Sequence, residues 1–98
     1  MVRHIVLIKW VEGTTAEQVQ EVTAALDSLP AQIDAIASYT HGPDLHLAEG
    51  RHDYAVVADF ADADAWRVYD THPVHEKARA DVIFPLVAHR VSVQFELR

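Results

Sequence analysis

A chain of 98 residues has room for one domain, over residues 1–98, with one small core. Half of the residues are hydrophobic and 23% are charged, which is typical of a globular rather than a disordered chain. The absence of cysteine excludes disulfides, thiolate metal sites and cysteine nucleophiles, and eight scattered Lys and Arg residues within a net charge of −7 argue against a nucleic-acid partner.

No signal-peptide or membrane-spanning pattern is visible near the amino terminus. The apolar run over residues 5–8 is far too short to cross a bilayer and is followed by Lys9 and Glu12. We therefore expect a soluble, cytoplasmic protein with no membrane partner.

The first predicted elements are a strand and a helix. Residues 3–11 form a strand that is apolar on both faces. One face carries His4, Val6, Ile8 and Trp10, and the other carries Ile5, Leu7, Lys9 and Val11. Thr14 and Glu17 then match the T-x-x-E capping box. Steps of three and four residues predict an amphipathic helix over residues 16–29, with an apolar stripe of Val19, Val22, Leu26 and Leu29.

Two more strands and a loop follow. Alternation predicts a strand within residues 33–43 and a clearer one over residues 53–60, and residues 45–52 between them are predicted to form a loop. Asp62 is a good N-cap for a second helix over residues 63–71, with Ala65, Trp66 and Tyr69 facing inward.

A proline then starts a short third helix. Pro73 disfavours helix at His72 and suits the first helical position, so we expect a helix from Pro73 to about residue 82. The last strand is predicted from the alternation, with polar residues, of Val91, Val93, Phe95 and Leu97.

The order β-α-β-β-α-(α)-β predicts an α+β fold, with a ferredoxin-like antiparallel sheet and helices on one face. Two main helices can cover only one face of such a sheet, whereas the first and third strands are apolar on both faces. We therefore expect a homodimer in which the open sheet faces of two copies meet.

Several segments together resemble the stress-responsive dimeric α/β-barrel (Dabb) family over essentially the whole chain. They are the opening strand V-R-H-I-V-L-I-K-W, the capped helix, the motif His72-Pro73-Val74-His75 after an aromatic helix, and a final V-x-V-x-F-E strand. The resemblance implies a homodimer whose two sheets pair into a barrel, without a cofactor.

One branch of that family, the plant olivetolic acid cyclase, closes a linear polyketide by aldol condensation without a metal. The resemblance implies a catalytic pair at the end of H-P-x-H and six residues before it, which is His75 and Tyr69 here, and a pocket histidine on the first strand, which is His4. The cyclase also carries a tyrosine on its first helix. Residues 16–29 here contain no aromatic residue, so the resemblance does not extend to the substrate.

These three side chains suit acid–base chemistry. His75 could take a proton from the carbon beside a carbonyl, because imidazole titrates near neutrality, and Tyr69 could donate to the developing enolate oxygen. If the face of His4 lines the barrel, His4 could bind a ligand oxygen or steady His75. Structural alternatives stay open, namely a core aromatic for Tyr69, a helix-end hydrogen bond for His75 and a bond from His4 to a backbone carbonyl.

The other histidines have no metal-binding spacing, because no H-x-x-x-H or H-E-x-x-H pattern occurs. We expect His72 to cap the third helix, and we expect His41, His46 and His52 to be solvated loop residues. We therefore predict neither a metal nor a cofactor.

Three functional hypotheses follow. The first is an aldol cyclase or isomerase with an apolar cavity for a small aromatic or apolar carbonyl compound, with His75, Tyr69 and His4 at its polar end. The second is a non-catalytic dimer that serves the stress response or binds a hydrophobic small molecule. The third is a cofactor-free oxygenase or a haem-related protein.

Overall fold

Four antiparallel strands form one sheet in the computed structural model, which describes residues 1–50 and 52–98. The strands are β1 (Val2–Trp10), β2 (Ser38–Pro43), β3 (Tyr54–Phe60) and β4 (Val87–Glu96), in the spatial order β2-β3-β1-β4. The predicted ferredoxin-like arrangement is confirmed. Arg51, which the sequence placed in the loop between β2 and β3, lies outside the described residues.

The helices are α1 (Ala16–Asp27), α2 (Ala63–Asp70) and α3 (Pro73–Ala78). The predicted extension of α3 to about residue 82 continues as one wide π-helical turn, Arg79–Ile83, and a 3₁₀ turn, Phe84–Leu86. No helix in the described part of the chain is both long enough and apolar enough to cross a membrane.

One of the two predicted N-caps is confirmed, and the other lies one residue further along the chain than predicted. Asp62 accepts a hydrogen bond from the Ala65 amide at 2.8 Å, as predicted. The capping box of α1, however, uses Thr15 and Gln18, whose side chains each bond to the other's backbone amide. The prediction from Thr14 was wrong because the Thr14 hydroxyl instead donates to the Val11 carbonyl and closes the turn after β1.

All three helices lie on one face of the sheet. Alternate residues of the central strands are buried beneath them, and these are His4, Val6 and Ile8 of β1 and Tyr54, Val56, Ala58 and Phe60 of β3. The face of His4 is therefore covered by the helices of its own chain. The apolar stripe of α1, with Val22 and Leu26, takes that face as its partner within the same chain.

The opposite face of the sheet is uncovered and apolar. Leu7 of β1 and Val91, Val93 and Phe95 of β4 are 36–55% exposed there, and the register pairs Leu7 directly with Val91. Because β1 and β4 are neighbours, these side chains form one continuous surface, which we call the open face.

Candidate functional site

A cavity of about 270 Å³ lies on the covered side of the sheet, bounded by α2, α3 and the turns that follow α3. Its apolar wall includes Val6, Ile8, Val56, Ile83 and Phe84. The polar or amphipathic side chains at its wall are His4, Tyr39, Trp66, Tyr69, Asp70, His75, Arg79, Arg90 and Ser92. The structure thus brings all three predicted site residues to one cavity. The cavity is bounded by helices and strands of one chain.

The corner between α2 and α3 fixes His75. His72 is the N-cap of α3 as predicted, and its Nδ1 accepts from the Val74 amide at 3.1 Å. His75 is buried, and its Nδ1 lies 3.0 Å from the Tyr69 carbonyl and 3.3 Å from the Asp70 carbonyl. A carbonyl oxygen only accepts, so Nδ1 carries the proton and Nε2 carries the lone pair. Within the described residues, no group hydrogen-bonds to Nε2.

Burial lowers the pKa of His75 to about 4, and the positive charge of Arg79 acts in the same direction. The two backbone carbonyls at the end of α2 act in the opposite direction, because they stabilise the protonated ring. His75 is therefore neutral at pH 7, with an available lone pair on Nε2. The predicted helix-end hydrogen bond is present, and it orients the ring as a base requires.

Tyr69 packs face to face against His75. Tyr69 is 3% exposed, and the two ring centroids are 4.0 Å apart with an angle of 24° between the planes. Its hydroxyl oxygen lies 2.8 Å from that of Tyr39, a residue that the sequence analysis did not assign to the site. Tyr39 alternates on β2 with the exposed residues Ser38 and Thr40. This alternation is the signal in the sequence that could have placed Tyr39 at the site.

Burial raises the pKa of Tyr69 and raises that of Tyr39 even more strongly, so both phenols keep their protons. The hydrogen bond with Tyr39 lowers the pKa of Tyr69. Either hydroxyl can be the donor of the pair. When Tyr39 donates, the hydrogen of the Tyr69 hydroxyl is available for a ligand oxygen.

A side chain of the edge strand β4 holds the ring of His4 by a hydrogen bond. His4 faces Gln94 across the β1–β4 pair, and the Gln94 side-chain nitrogen lies 2.8 Å from His4 Nδ1. The amide nitrogen is a donor, so the proton of His4 is on Nε2. Burial lowers the pKa of His4, which keeps the ring neutral. The alternative of a bond to a backbone carbonyl was wrong, because the partner is the Gln94 side chain.

Trp66 lies beside His4 at the cavity wall. Its ring centroid lies 5.8 Å from that of His4, and its Nε1 is buried without a hydrogen-bond partner in the described part of the chain. A nitrogen with almost no accessible surface does not face the cavity, so the donors presented there are those of Tyr69 and His4, and the base is His75.

His41 is not the solvated loop residue that the sequence predicted. It belongs to β2, and its side chain is 6% exposed. Its Nε2 lies 2.8 Å from an Asp27 oxygen, and its Nδ1 lies 2.7 Å from the Tyr54 hydroxyl. The residue thus ties α1 to the sheet. Among the residues that the structure describes, no three His, Asp or Glu side chains are grouped so that they could hold a metal ion.

The family model described as the stress responsive A/B barrel domain (Dabb) matches residues 2–97. No curated protein sequence matches the chain. Among solved structures, a dimeric ferredoxin-like protein of unknown function from Thermobifida fusca is 47% identical, with a TM-score of 0.90 over 98% of this chain and 90% of that one.

Two further structures extend the comparison. A dimeric protein of unknown function and ferredoxin-like fold from Bacteroides fragilis is 28% identical, with a TM-score of 0.83 over 98% of this chain and 95% of that one. A hydroxynitrile lyase from Passiflora edulis is 18% identical, with a TM-score of 0.86 over 99% of this chain and 93% of that one. At that identity, the lyase shares the fold alone.

Proposed function

Because this chain belongs to the stress responsive A/B barrel (Dabb) family, as its sequence predicted, we propose that it is a cofactor-independent acid–base enzyme that acts on a carbonyl compound. The observation that carries this proposal is the orientation of His75. Its Nδ1 is held by two backbone carbonyls, and the basic Nε2 has no hydrogen-bond partner among the described residues and lies at a cavity with donors at its wall. A protein of the same fold that is 18% identical to this chain is a hydroxynitrile lyase. This supports the view that the fold can hold an enzyme site.

The proposed step is removal of a proton from the carbon beside the carbonyl. His75 Nε2 takes the proton, and the electron pair of the broken C–H bond moves to form an enolate. The Tyr69 hydroxyl donates to the enolate oxygen, supported by Tyr39. In aldol closure, the enolate carbon attacks a second carbonyl of the same molecule, and the alkoxide formed there takes the proton from His75 Nε2. In isomerisation, His75 returns the proton to a different atom of the delocalised enolate. His4 holds a second oxygen of the substrate.

The backbone at the end of α2 lowers the cost of charging His75. Burial opposes the imidazolium form, but the carbonyls of Tyr69 and Asp70 accept from Nδ1–H and become stronger partners when the ring is positive. This arrangement suits a base that holds a proton briefly and returns it.

We propose that the chain works as a homodimer through the open face. Leu7, Val91, Val93 and Phe95 expose a continuous apolar surface there. The Thermobifida and Bacteroides relatives, at 47% and 28% identity, are both described as dimeric. A second copy of the same face is the simplest cover for such a surface.

The experiment is deuterium exchange of the methyl protons of acetophenone in D₂O, followed by NMR. We expect the wild-type protein to catalyse the exchange, and we expect His75→Gln to lower the rate by about 10²–10⁴-fold while the protein stays folded. His89→Gln changes an exposed histidine on β4 and serves as the matched control. Exchange by His75→Gln at the wild-type rate would falsify the assignment.

A second candidate is a non-catalytic protein that binds a small hydrophobic molecule. The observation that favours it is the pKa of His75 near 4, which makes the imidazole a weak base, together with the apolar wall of the cavity. In that case acetophenone should quench tryptophan fluorescence without any exchange of its protons.

A further inference from the structure

We propose that the natural ligand of this cavity carries a carboxylate, which Arg90 binds at the exposed rim of the cavity. The inference rests on the proposed function only in using the same cavity and the same carbonyl-binding groups. It goes further because it names a charge on the ligand and a residue that selects for it.

Arg90 is exposed, yet its side chain contributes to the cavity wall. Its guanidinium carbon lies 5.2 Å from the centroid of the Phe84 ring, and Phe84 is 42% exposed, so the pair marks the rim. Stacking on an aromatic face restricts the guanidinium and leaves its donors free to bind an anion.

Arg90 differs from the other arginine at the cavity in having no acidic partner. Arg79 bonds to an Asp70 carboxylate oxygen at 3.1 Å and to the Asp70 carbonyl at 2.6 Å, which satisfies much of its donor capacity. Within the described residues, no carboxylate lies within ion-pair distance of Arg90. An unpaired guanidinium stands out in a chain whose net charge is −7.

The charge balance of the cavity wall favours an anion. Asp70 is the one carboxylate at the wall and two guanidiniums accompany it, while both histidines are neutral. Burial is the main cause that lowers the pKa of His4; the Asp70 charge raises it, and the charges of Arg90 and Arg79 lower it. The cavity is therefore locally positive in a negatively charged protein, which concentrates anionic ligands there.

The strand register gives the arrangement of the bound molecule. On the cavity side of β4, Gln94 pairs with His4, Ser92 with Val6, and Arg90 with Ile8. Arg90 thus lies four residues along an extended strand from Gln94, or about 13 Å from Cα to Cα. A carboxylate at Arg90, with the Ser92 hydroxyl beside it, would direct the rest of the molecule toward His4 and Tyr69. The ligand class is a carbonyl compound with a carboxylate at one end and its ketone at the other.

The test compares 4-acetylbenzoate with its methyl ester, which has no charge and carries one additional methyl group. Both carry the same ring and ketone, and their affinities can be measured by tryptophan fluorescence at low salt. We expect the wild-type protein to bind the acid about tenfold more tightly than the ester. Arg90→Met should abolish this preference with ester affinity unchanged, whereas Arg90→Lys should retain part of it. Arg67→Met, which changes an arginine of α2 paired with Asp64, should behave as wild type.

Three outcomes would overturn the proposal: equal affinity of wild type for acid and ester, a preference that survives in Arg90→Met, or no binding of either probe. The proposed function is tested separately, because acetophenone is neutral and its exchange does not require Arg90. Proton exchange without a preference for the acid rejects the anion site alone. A preference for the acid without any exchange rejects the catalytic role alone.

Discussion

Acidification from pH 7 to pH 4 should destabilise the folded protein through His75. The imidazole has an ordinary pKa of 6.5, and burial together with the Arg79 charge lowers it to about 4 in the folded state. Below pH 6.5 the unfolded chain therefore binds a proton that the folded chain does not. The stability contributed by the neutral ring is complete above pH 6.5 and is lost as the pH falls from 6.5 toward 4. The difference between the two pKa values corresponds to a loss of about 3 kcal/mol in the free energy of unfolding.

The measurement is the free energy of unfolding in urea at pH 7 and pH 4, at one protein concentration, for wild type and His75→Gln. Glutamine keeps an amide donor for the Tyr69 carbonyl but does not titrate. The fall in stability between the two pH values should be smaller in the variant by about 3 kcal/mol, whatever the absolute stability of the variant at pH 7. His89→Gln, at an exposed position, should keep the wild-type fall. An equal fall in wild type and His75→Gln would show that the ring is not a buried neutral imidazole.

Three further predictions concern other parts of the fold. Val93→Asp places a carboxylate on the open face and should convert the dimer to monomer in analytical ultracentrifugation, whereas Val68→Asp, at a residue of α2 that is 54% exposed, should not. Tyr39→Phe removes the hydroxyl that hydrogen-bonds to Tyr69 and should lower the free energy of unfolding by about 1 kcal/mol and slow acetophenone exchange. His41→Ala removes the ring that bonds to the buried Tyr54 hydroxyl and to the exposed Asp27 carboxylate, so urea unfolding should show a loss of about 1–3 kcal/mol.

The fold could be predicted because its signals are local and periodic. The three- and four-residue spacing that includes Val22 and Leu26 fixes the buried stripe of α1, and Asp62 marks the start of α2. The choice between Thr14 and Thr15 as the N-cap of α1 could not be made from sequence. Both residues have the same side chain, and only the turn after β1 decides which hydroxyl faces the helix.

The site could be predicted only in part, because its contacts join residues that are distant in sequence. The pairing of His75 with Tyr69 came from the resemblance to the family, and the two rings are stacked in the structure. Tyr39 lies 30 residues from Tyr69, and no local pattern connects the two. The face of His4 was ambiguous because β1 is apolar on both sides, so the packing of the helices, and not the strand itself, determines which side forms the cavity.

Strand β4 connects the open face to the cavity, since its successive side chains point to opposite sides of the sheet. Val93 lies on the open face, whereas its neighbour Gln94 fixes the tautomer of His4 and Arg90 lies at the rim of the cavity. The strand is at the edge of the sheet and pairs only with β1. A second copy on the open face would therefore hold in place the strand that orients two polar groups of the cavity. For this reason Val93→Asp should weaken ligand binding at His4 and Arg90 as well as the dimer, although Val93 itself points away from the cavity.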